Sequence, residues 1–229
     1  MIFYSCHFLL QLATFIDMHF YAFIIYLSKR EEASEVRKIV DLILRYTEKH
    51  IPSALLDEND VAMIRYGIEI TLSSFLNIFI IMSLSIIFHR FSEGITFLIV
   101  FIVTRQFTGG FHANTYLMCN AVFSLCFLMV LCLYKFLNNC PAIIFFALFI
   151  LELLVAIFMC PVENPNKPIT SKKQYIRCKM FSIFLFLFGN TIGIFLVKNG
   201  YDIGKVVIIT LQLIAFLCLI TLIERRRSL

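Results

Sequence analysis

A chain of 229 residues that is 60% hydrophobic and only 15% charged is too apolar for a soluble domain, because such domains are roughly 45–50% apolar and about 25% charged. The excess must face lipid, so the composition predicts an all-α, polytopic integral membrane protein. The net charge of +5 is then no sign of nucleic-acid binding, since Lys and Arg mostly set the orientation of a membrane protein.

The first 28 residues form a hydrophobic extension that is followed directly by Lys29 and Arg30. They lack the basic n-region and the small-residue cleavage site of a secretory signal. Three interpretations stay open. The extension is a seventh segment with its N-terminus outside, an interfacial helix, or the product of an upstream start codon with Met18 as another start.

Residues 29–65 are expected to form a cytosolic region with an amphipathic helix over 31–50. Apolar side chains recur there with i, i+3, i+4 spacing, and acidic and basic residues alternate on the other face. The pattern fits an interfacial helix on the inner leaflet and a helix packed on the cytosolic end of the bundle equally well.

The following core, 66–223, contains five apolar runs that can cross a bilayer of about 30 Å. They cover 66–88, 114–137, 141–160, 180–197 and 205–223. A shorter run between the first two, bounded by Glu93 and Arg105, has only about 12 charge-free residues, or roughly 18 Å of helix. We interpret this run as a half-span or a span that ends inside the bilayer, which gives about six segments.

The basic residues predict the orientation of these segments. Of the 20 Lys and Arg, 16 fall in 29–65, 105–113, 161–179 and the basic tail 224–229. The positive-inside rule places those stretches in the cytosol.

The stretch RQFTGGFHANTYLMC, 105–119, separates two membrane segments and contains a candidate base, His112, and a candidate nucleophile, Cys119. Seven residues apart on a straight helix they would lie about 10.5 Å from each other, whereas proton transfer needs about 3 Å. A pair therefore requires a turn. Gly109 and Gly110 predict one, because glycine adopts positive φ without a steric penalty.

The simpler alternative is a loop histidine and a membrane cysteine that never meet. Two features favour the pair. The short preceding segment would shield the turn from water, and Arg105 could bind an anionic group or fix the turn. A shielded thiol beside a cation favours a nucleophilic thiolate.

Together, Arg105, Gly109-Gly110, His112 and Cys119 resemble the signature of the accessory gene regulator B (AgrB) family of membrane endopeptidases. The resemblance extends to RYGIEITLSSFLN upstream and PVENPNKPIT downstream, and covers roughly 30–223. It does not include the first 28 residues.

The resemblance implies a cysteine peptidase of the bacterial cell membrane, whose active site faces the cytoplasm or the inner leaflet. Cys119 would attack a linear AgrD-like precursor peptide at the C-terminal side of a quorum-sensing signal. An internal Cys or Ser of the peptide would then resolve the thioester to a thiolactone or lactone, with His112 moving the protons. No metal or other cofactor is implied, and a homodimer stays open.

Other roles are less determined. The turn glycines and Arg105 are candidates for stabilising the oxyanion, and Glu69 is a candidate for orienting His112. The mid-span Glu152 is either functional or a carboxyl that is neutral or bonded to Asn77, Asn190 or Gln212.

Cys126 and Cys178 are weaker candidates for the nucleophile than Cys119. The eight Cys contain no CxxC pair, which argues against both a zinc site and a disulfide scaffold. The rival class is a non-enzymatic peptide exporter or scaffold, although the sequence has no inverted repeat of the kind found in transporters.

Overall fold

The computed structural model describes residues 41–42, 58–109, 116–136, 142–162 and 171–227. Besides the helical residues 41–42, the regular elements in these ranges are six α-helices. They are α1 (Glu58–Ile87), α2 (Phe91–Thr108), α3 (Tyr116–Phe136), α4 (Ala142–Phe158), α5 (Lys172–Lys198) and α6 (Ile203–Arg227). The prediction of an all-α membrane protein is confirmed.

The described helices carry apolar stretches and apolar surfaces of the kind that a membrane protein needs. Three of them, α2, α5 and α6, are long and apolar enough to cross a bilayer by length and composition. Shorter apolar stretches lie within the other three, over 71–87, 119–134 and 145–158. Phe79, Phe158 and Phe195 are each at least 66% exposed. Such apolar surface is unfavourable in water and suits contact with lipid.

The second segment is short, as predicted, but the prediction that it is a half-span is wrong. Helix α2 has 18 residues and is long enough to cross, because Glu93 and Arg105 lie inside its terminal turns rather than beyond its ends. Glu93 in the first turn and Arg105 in the last complement the helix dipole. Arg90 also pairs with Glu93 at 2.9 Å, so both charges are accommodated.

The boundaries of the other helices follow the apolar runs to different degrees. Helices α3 and α4 end within two residues of the predicted limits. Helices α1 and α5 begin eight residues before the start of their apolar runs. Charged residues such as Lys172 and Lys173 favour helix formation, but a hydropathy pattern excludes them from the segment. Helix α6 continues into the basic tail as far as Arg227.

Two compact units make up the chain, and each is described by itself: 1–77 with 113–122, and 78–112 with 123–229. In the first unit, the Ser73 hydroxyl on α1 donates to Asn120 Oδ1 on α3 at 3.0 Å. Asn120 is only 5% exposed, so this bond joins two helices in an interior. Arg65 also pairs with Asp41 at 3.0 Å, but both side chains are well exposed.

In the second unit, α6 packs against α2, α4 and α5. Its inward side chains Val206, Ile209, Leu211 and Ile214 are at most 2% exposed. Helix α5 approaches α6 closely at Gly193 and Gly204, where a Cβ on Gly204 would lie 2.4 Å from the Gly193 carbonyl oxygen. Small residues permit such close packing of membrane helices.

An aromatic cluster holds α2 within the same unit. Phe97 and Phe101 of α2 meet Phe123 and Phe127, with ring centroids 4.8–5.3 Å apart. Aromatic pairs at this spacing add to the free energy gained from burial. The cluster fixes how far α2 extends along Phe123 and Phe127 of α3. It therefore also fixes where the last turn of α2 ends within this unit.

The predictions for residues 1–28, and for the amphipathic helix apart from 41–42, fall outside the described residues. The domain boundaries at 29–65 and 66–223 stay predictions.

Candidate active site

The structure describes the six predicted site residues unequally. The structure describes Gly109 and the side chains of Arg105 and Cys119. It describes Glu69 only as a backbone position in α1. Gly110 and His112 lie outside the described residues. Arg105 and Gly109 belong to the second unit, whereas Cys119 and Glu69 belong to the first. The pairing of His112 with Cys119 therefore stays a prediction.

Gly109 ends α2 in a conformation that requires glycine. Its φ is 68° and its ψ is −145°, a region that L side chains adopt only with strain. A Cβ there would also lie 2.2 Å from the Val162 carbonyl oxygen. The predicted positive φ is confirmed at Gly109, and close backbone contact is a second reason for glycine that the sequence did not indicate.

The contact between Gly109 and Val162 anchors the end of α2 to the residues after α4. Gly109 and Val162 form an isolated parallel bridge, and the Val162 N–H donates to the Thr108 carbonyl at 2.9 Å. Thr108 is fully buried and Val162 is 5% exposed. The two partners belong to stretches of the sequence that only the family resemblance relates to each other, namely 105–119 and 161–170.

A pair of thiols lies beside this anchor. Cys160 and Cys218 are each 1% exposed and lie close enough to interact with each other, and Cys218 also lies near Thr108. Neither residue belongs to a motif that can be recognised in the sequence. They are 58 positions apart, and no local pattern joins them.

Arg105 supports the turn from within α2. Its carbonyl accepts the Gly109 N–H at 3.1 Å, and its guanidinium lies over the Phe101 ring, 5.5 Å from the centroid. The side chain is half-buried, and its charge acts on Cys126 and Cys218. Because the Gly109 N–H is already bonded, Gly109 is not available as an oxyanion donor.

Cys119 lies in the first turn and a half of α3, where it is half-buried. The unpaired N–H groups of a helix N-terminus carry partial positive charge, which stabilises a nearby anion. The next residue, Asn120, is held by Ser73 of α1. Glu69 precedes Ser73 by four residues, so the two positions share one face of α1, about 6 Å apart along its axis.

The remaining thiols occupy different environments. Cys126 is 4% exposed and lies two turns further along α3. Cys178 is half-buried in α5, within the stretch 161–179 that was predicted to be cytosolic. In the part of the chain that the structure describes, no group of three or more His, Cys, Asp or Glu could hold a metal ion.

Glu152 forms a hydrogen bond with one of the amide side chains expected from the sequence, that of Asn190. Its Oε2 accepts the Asn190 amide at 2.6 Å, and the carboxyl is 1% exposed. Its Oε1 has no hydrogen-bond partner among the described residues.

These observations define an all-α membrane protein in which a glycine turn at the end of α2 is pinned to the residues after α4. The model of the accessory gene regulator B family matches residues 37–222, and the chain belongs to that family. The family acts in the processing of the accessory gene regulator autoinducer, so the chain has its role in peptide processing.

Relatives in two bacterial genera carry the same family name. A protein of Clostridium perfringens strain 13, provisionally named AgrB-like protein 2, is 23% identical over 184 residues, covering 76% of this chain and 86% of the relative. A provisionally named AgrB-like protein of Lactiplantibacillus plantarum is 24% identical over 181 residues, covering 76% and 89%. No solved structure matches the chain.

Proposed function

We propose that the protein is a membrane cysteine endopeptidase that cuts a quorum-sensing precursor peptide and closes the signal into a ring. Cys119 is the nucleophile and His112 is the base. The observation that supports this most directly is the position of Cys119, half-buried near the N-terminal end of α3, where helix dipoles favour a thiolate.

The proposed first step is acyl transfer to the enzyme. His112 accepts the thiol proton, and the Cys119 sulfur attacks the carbonyl at the C-terminal side of the signal. The C–N bond breaks, and His112 returns the proton to the amine of the departing tail. The product is a thioester between Cys119 and the N-terminal part of the precursor.

The proposed second step conserves the energy of that thioester. A Cys or Ser side chain within the bound peptide attacks the thioester carbonyl, the C–S bond to Cys119 breaks, and the proton of the attacking group passes to the leaving thiolate. A thiolactone or lactone forms and free Cys119 is restored. Water must be kept away, since hydrolysis of the thioester would give a linear product.

A half-span that ends inside the bilayer cannot be what shields the proposed site from water, because α2 is long enough to cross the bilayer. It rests instead on the burial of Thr108 and Val162 around the glycine turn, and on the half-burial of Cys119. Both features limit the access of water to their own unit.

Two supporting roles belong to the same proposal. With the Gly109 N–H engaged, the Gly110 N–H or the Arg105 guanidinium is the donor for the oxyanion. Glu69 orients His112. Its backbone position supports this role, because it lies one helical turn from Ser73, the residue that bonds to the neighbour of Cys119.

The proposed setting is the bacterial cell membrane, with several crossings and the site toward the cytoplasm or inner leaflet. The concentration of 16 of the 20 Lys and Arg on one side supports this orientation. The proposed partner is a linear AgrD-like precursor.

The decisive experiment reconstitutes the full chain in liposomes with the precursor peptide. Mass spectrometry should detect release of the precursor's C-terminal tail and a thiol-sensitive enzyme–peptide adduct at Cys119. Both Cys119→Ala and His112→Ala should abolish the adduct and the cleavage.

Matched cysteine variants control for general damage. Cys126→Ala lies on the same helix, and Cys178→Ala removes another half-buried thiol, yet both should cleave at near the normal rate. Tail release by Cys119→Ala would place the nucleophile elsewhere and refute the assignment.

A further inference from the structure

A cavity of about 390 Å³ opens between α4, α5 and α6, at the end of these helices that carries Lys198 and Lys205. It lies entirely within the second unit, and it contains none of the proposed catalytic residues. Its walls are almost wholly apolar: Phe145, Phe146, Phe149, Ile194, Val197 and Ile208.

The inner end of the cavity has no amide hydrogen to offer a ligand. Asn190 lies there, and its Nδ2 donates to Glu152 Oε2 at 2.6 Å and to the Phe186 carbonyl at 2.9 Å. An amide group has two donor hydrogens, so both are used. A peptide in this space would bury backbone N–H and C=O groups without partners, at a cost of roughly 2–7 kcal/mol each. The cavity therefore suits a ligand that is apolar along its length.

The side of the cavity is open to the surrounding lipid. Phe146, one of its walls, is 63% exposed on a surface that we assign to the bilayer. An apolar groove reached from hydrocarbon fills with hydrocarbon rather than with water. The chemistry of the walls and the access route both indicate an acyl chain.

The mouth of the cavity carries net positive charge. Lys205 is ion-paired with Asp202, whereas Lys198 has no ion-pair partner among the described residues. Two ammonium groups and one carboxylate leave an excess of one positive charge beside an opening at the end of the helices. A lysine in such a position binds phosphate as a point charge and attracts anionic lipid.

We propose that this cavity is a binding site for an anionic phospholipid. One acyl chain lies along Phe145 and Phe149, and the headgroup phosphate is held at Lys198 beside Lys205. The proposal is independent of the peptidase chemistry, and neither depends on the other.

The test uses the full chain in nanodiscs that contain a phosphatidylglycerol or a phosphatidylcholine with a photoreactive group in its acyl chain. After irradiation, crosslinks are mapped by mass spectrometry of the digested protein. Crosslinks to 145–149 should exceed those to Phe184 and Phe188, which are exposed on α5 away from the cavity, and should be about fivefold more frequent with phosphatidylglycerol.

Two substitutions on α5 provide a matched comparison. Lys198→Gln should lower the crosslinking of phosphatidylglycerol at 145–149 by about fivefold, whereas Lys173→Gln, at the other end of the helix, should leave it unchanged. Ile194→Trp fills the cavity and should lower crosslinking of both lipids there, with crosslinks at Phe184 retained as a measure of correct folding.

Three results would overturn the proposal. If crosslinking at 145–149 equals that at Phe184, the cavity is in contact with bulk lipid only and is not a binding site. Equal crosslinking of the two lipids, unaffected by Lys198→Gln, would remove the headgroup site. Displacement of the lipid by the precursor peptide would make the peptide the occupant.

Discussion

Gly109 and Val162 approach so closely that a Cβ atom at position 109 would lie 2.2 Å from the Val162 carbonyl oxygen. The contact joins the end of α2 to the segment after α4, 53 residues further along the chain. The proposed histidine, His112, follows this turn by three residues in the sequence.

Gly109→Ala should destabilise the protein and reduce peptide cleavage. The substitution combines strain at positive φ, about 1–3 kcal/mol, with a backbone clash that no side-chain movement relieves. Thermal unfolding in detergent, followed by the helical circular dichroism signal, measures the loss. Gly200→Ala is the control, because Gly200 also has positive φ (80°) but no atom within 4 Å of its Cβ position. Equal effects of the two substitutions would show that only φ matters.

The predicted orientation can be tested with thiol probes on intact cells. A cysteine introduced at Tyr201, which is 60% exposed, should react with an impermeant reagent added outside. A cysteine at Gly110 or Ser228 should react only after permeabilisation, because 16 of the 20 basic residues predict a cytosolic location for those stretches. Peptide mapping distinguishes the probes from the native thiols. Labelling at position 110 from outside would contradict the six-segment topology.

Local features of the sequence predicted much of this structure. The apolar runs gave the number and order of the helices, and the paired glycines indicated a turn with positive φ. Contacts between distant residues were not predictable. The bonds Ser73–Asn120 and Val162–Thr108 join residues 47 and 54 positions apart, and hydropathy contains no information on which helix faces meet.

The error in α2 has a specific physical cause. Counting charge-free residues treats Glu93 and Arg105 as the limits of the segment, whereas each lies in the helix turn where the dipole favours its sign. The half-burial of Cys119 also could not be predicted from its position in the sequence, because α3 has apolar residues on every face.

Loss of the Ser73–Asn120 bond should affect cleavage more than stability. Ser73→Ala removes one interhelical hydrogen bond, which is worth about 0.6 kcal/mol on average in a membrane protein. The same change removes the bond from Ser73 to Asn120, the neighbour of the proposed nucleophile, so we expect a severalfold lower cleavage rate. Ser83→Ala is the control on the same helix, since the Ser83 hydroxyl donates to the Phe79 carbonyl of the preceding turn of its own helix. A cleavage rate for Ser73→Ala equal to that of Ser83→Ala would exclude a positioning role.

The bond between Glu152 and Asn190 should prove structural, and a double-mutant cycle can separate this role from a chemical one. Glu152→Gln retains an acceptor for the Asn190 amide, so stability and cleavage should stay near normal. Glu152→Leu leaves a buried amide without that acceptor and should cost about 1–3 kcal/mol.

Adding Asn190→Leu to Glu152→Leu should restore part of the lost stability, because replacing both partners by apolar groups removes the unsatisfied donor. The free energy of unfolding of Asn190→Leu alone should lie between those of Glu152→Leu and the double variant, because this substitution leaves the Glu152 carboxyl without its partner in an apolar interior. Thermal unfolding of the four proteins gives the coupling free energy, and cleavage of the precursor is measured in parallel. Loss of cleavage in Glu152→Gln at unchanged stability would show that the carboxyl takes part in the function, and the structural assignment would then be wrong.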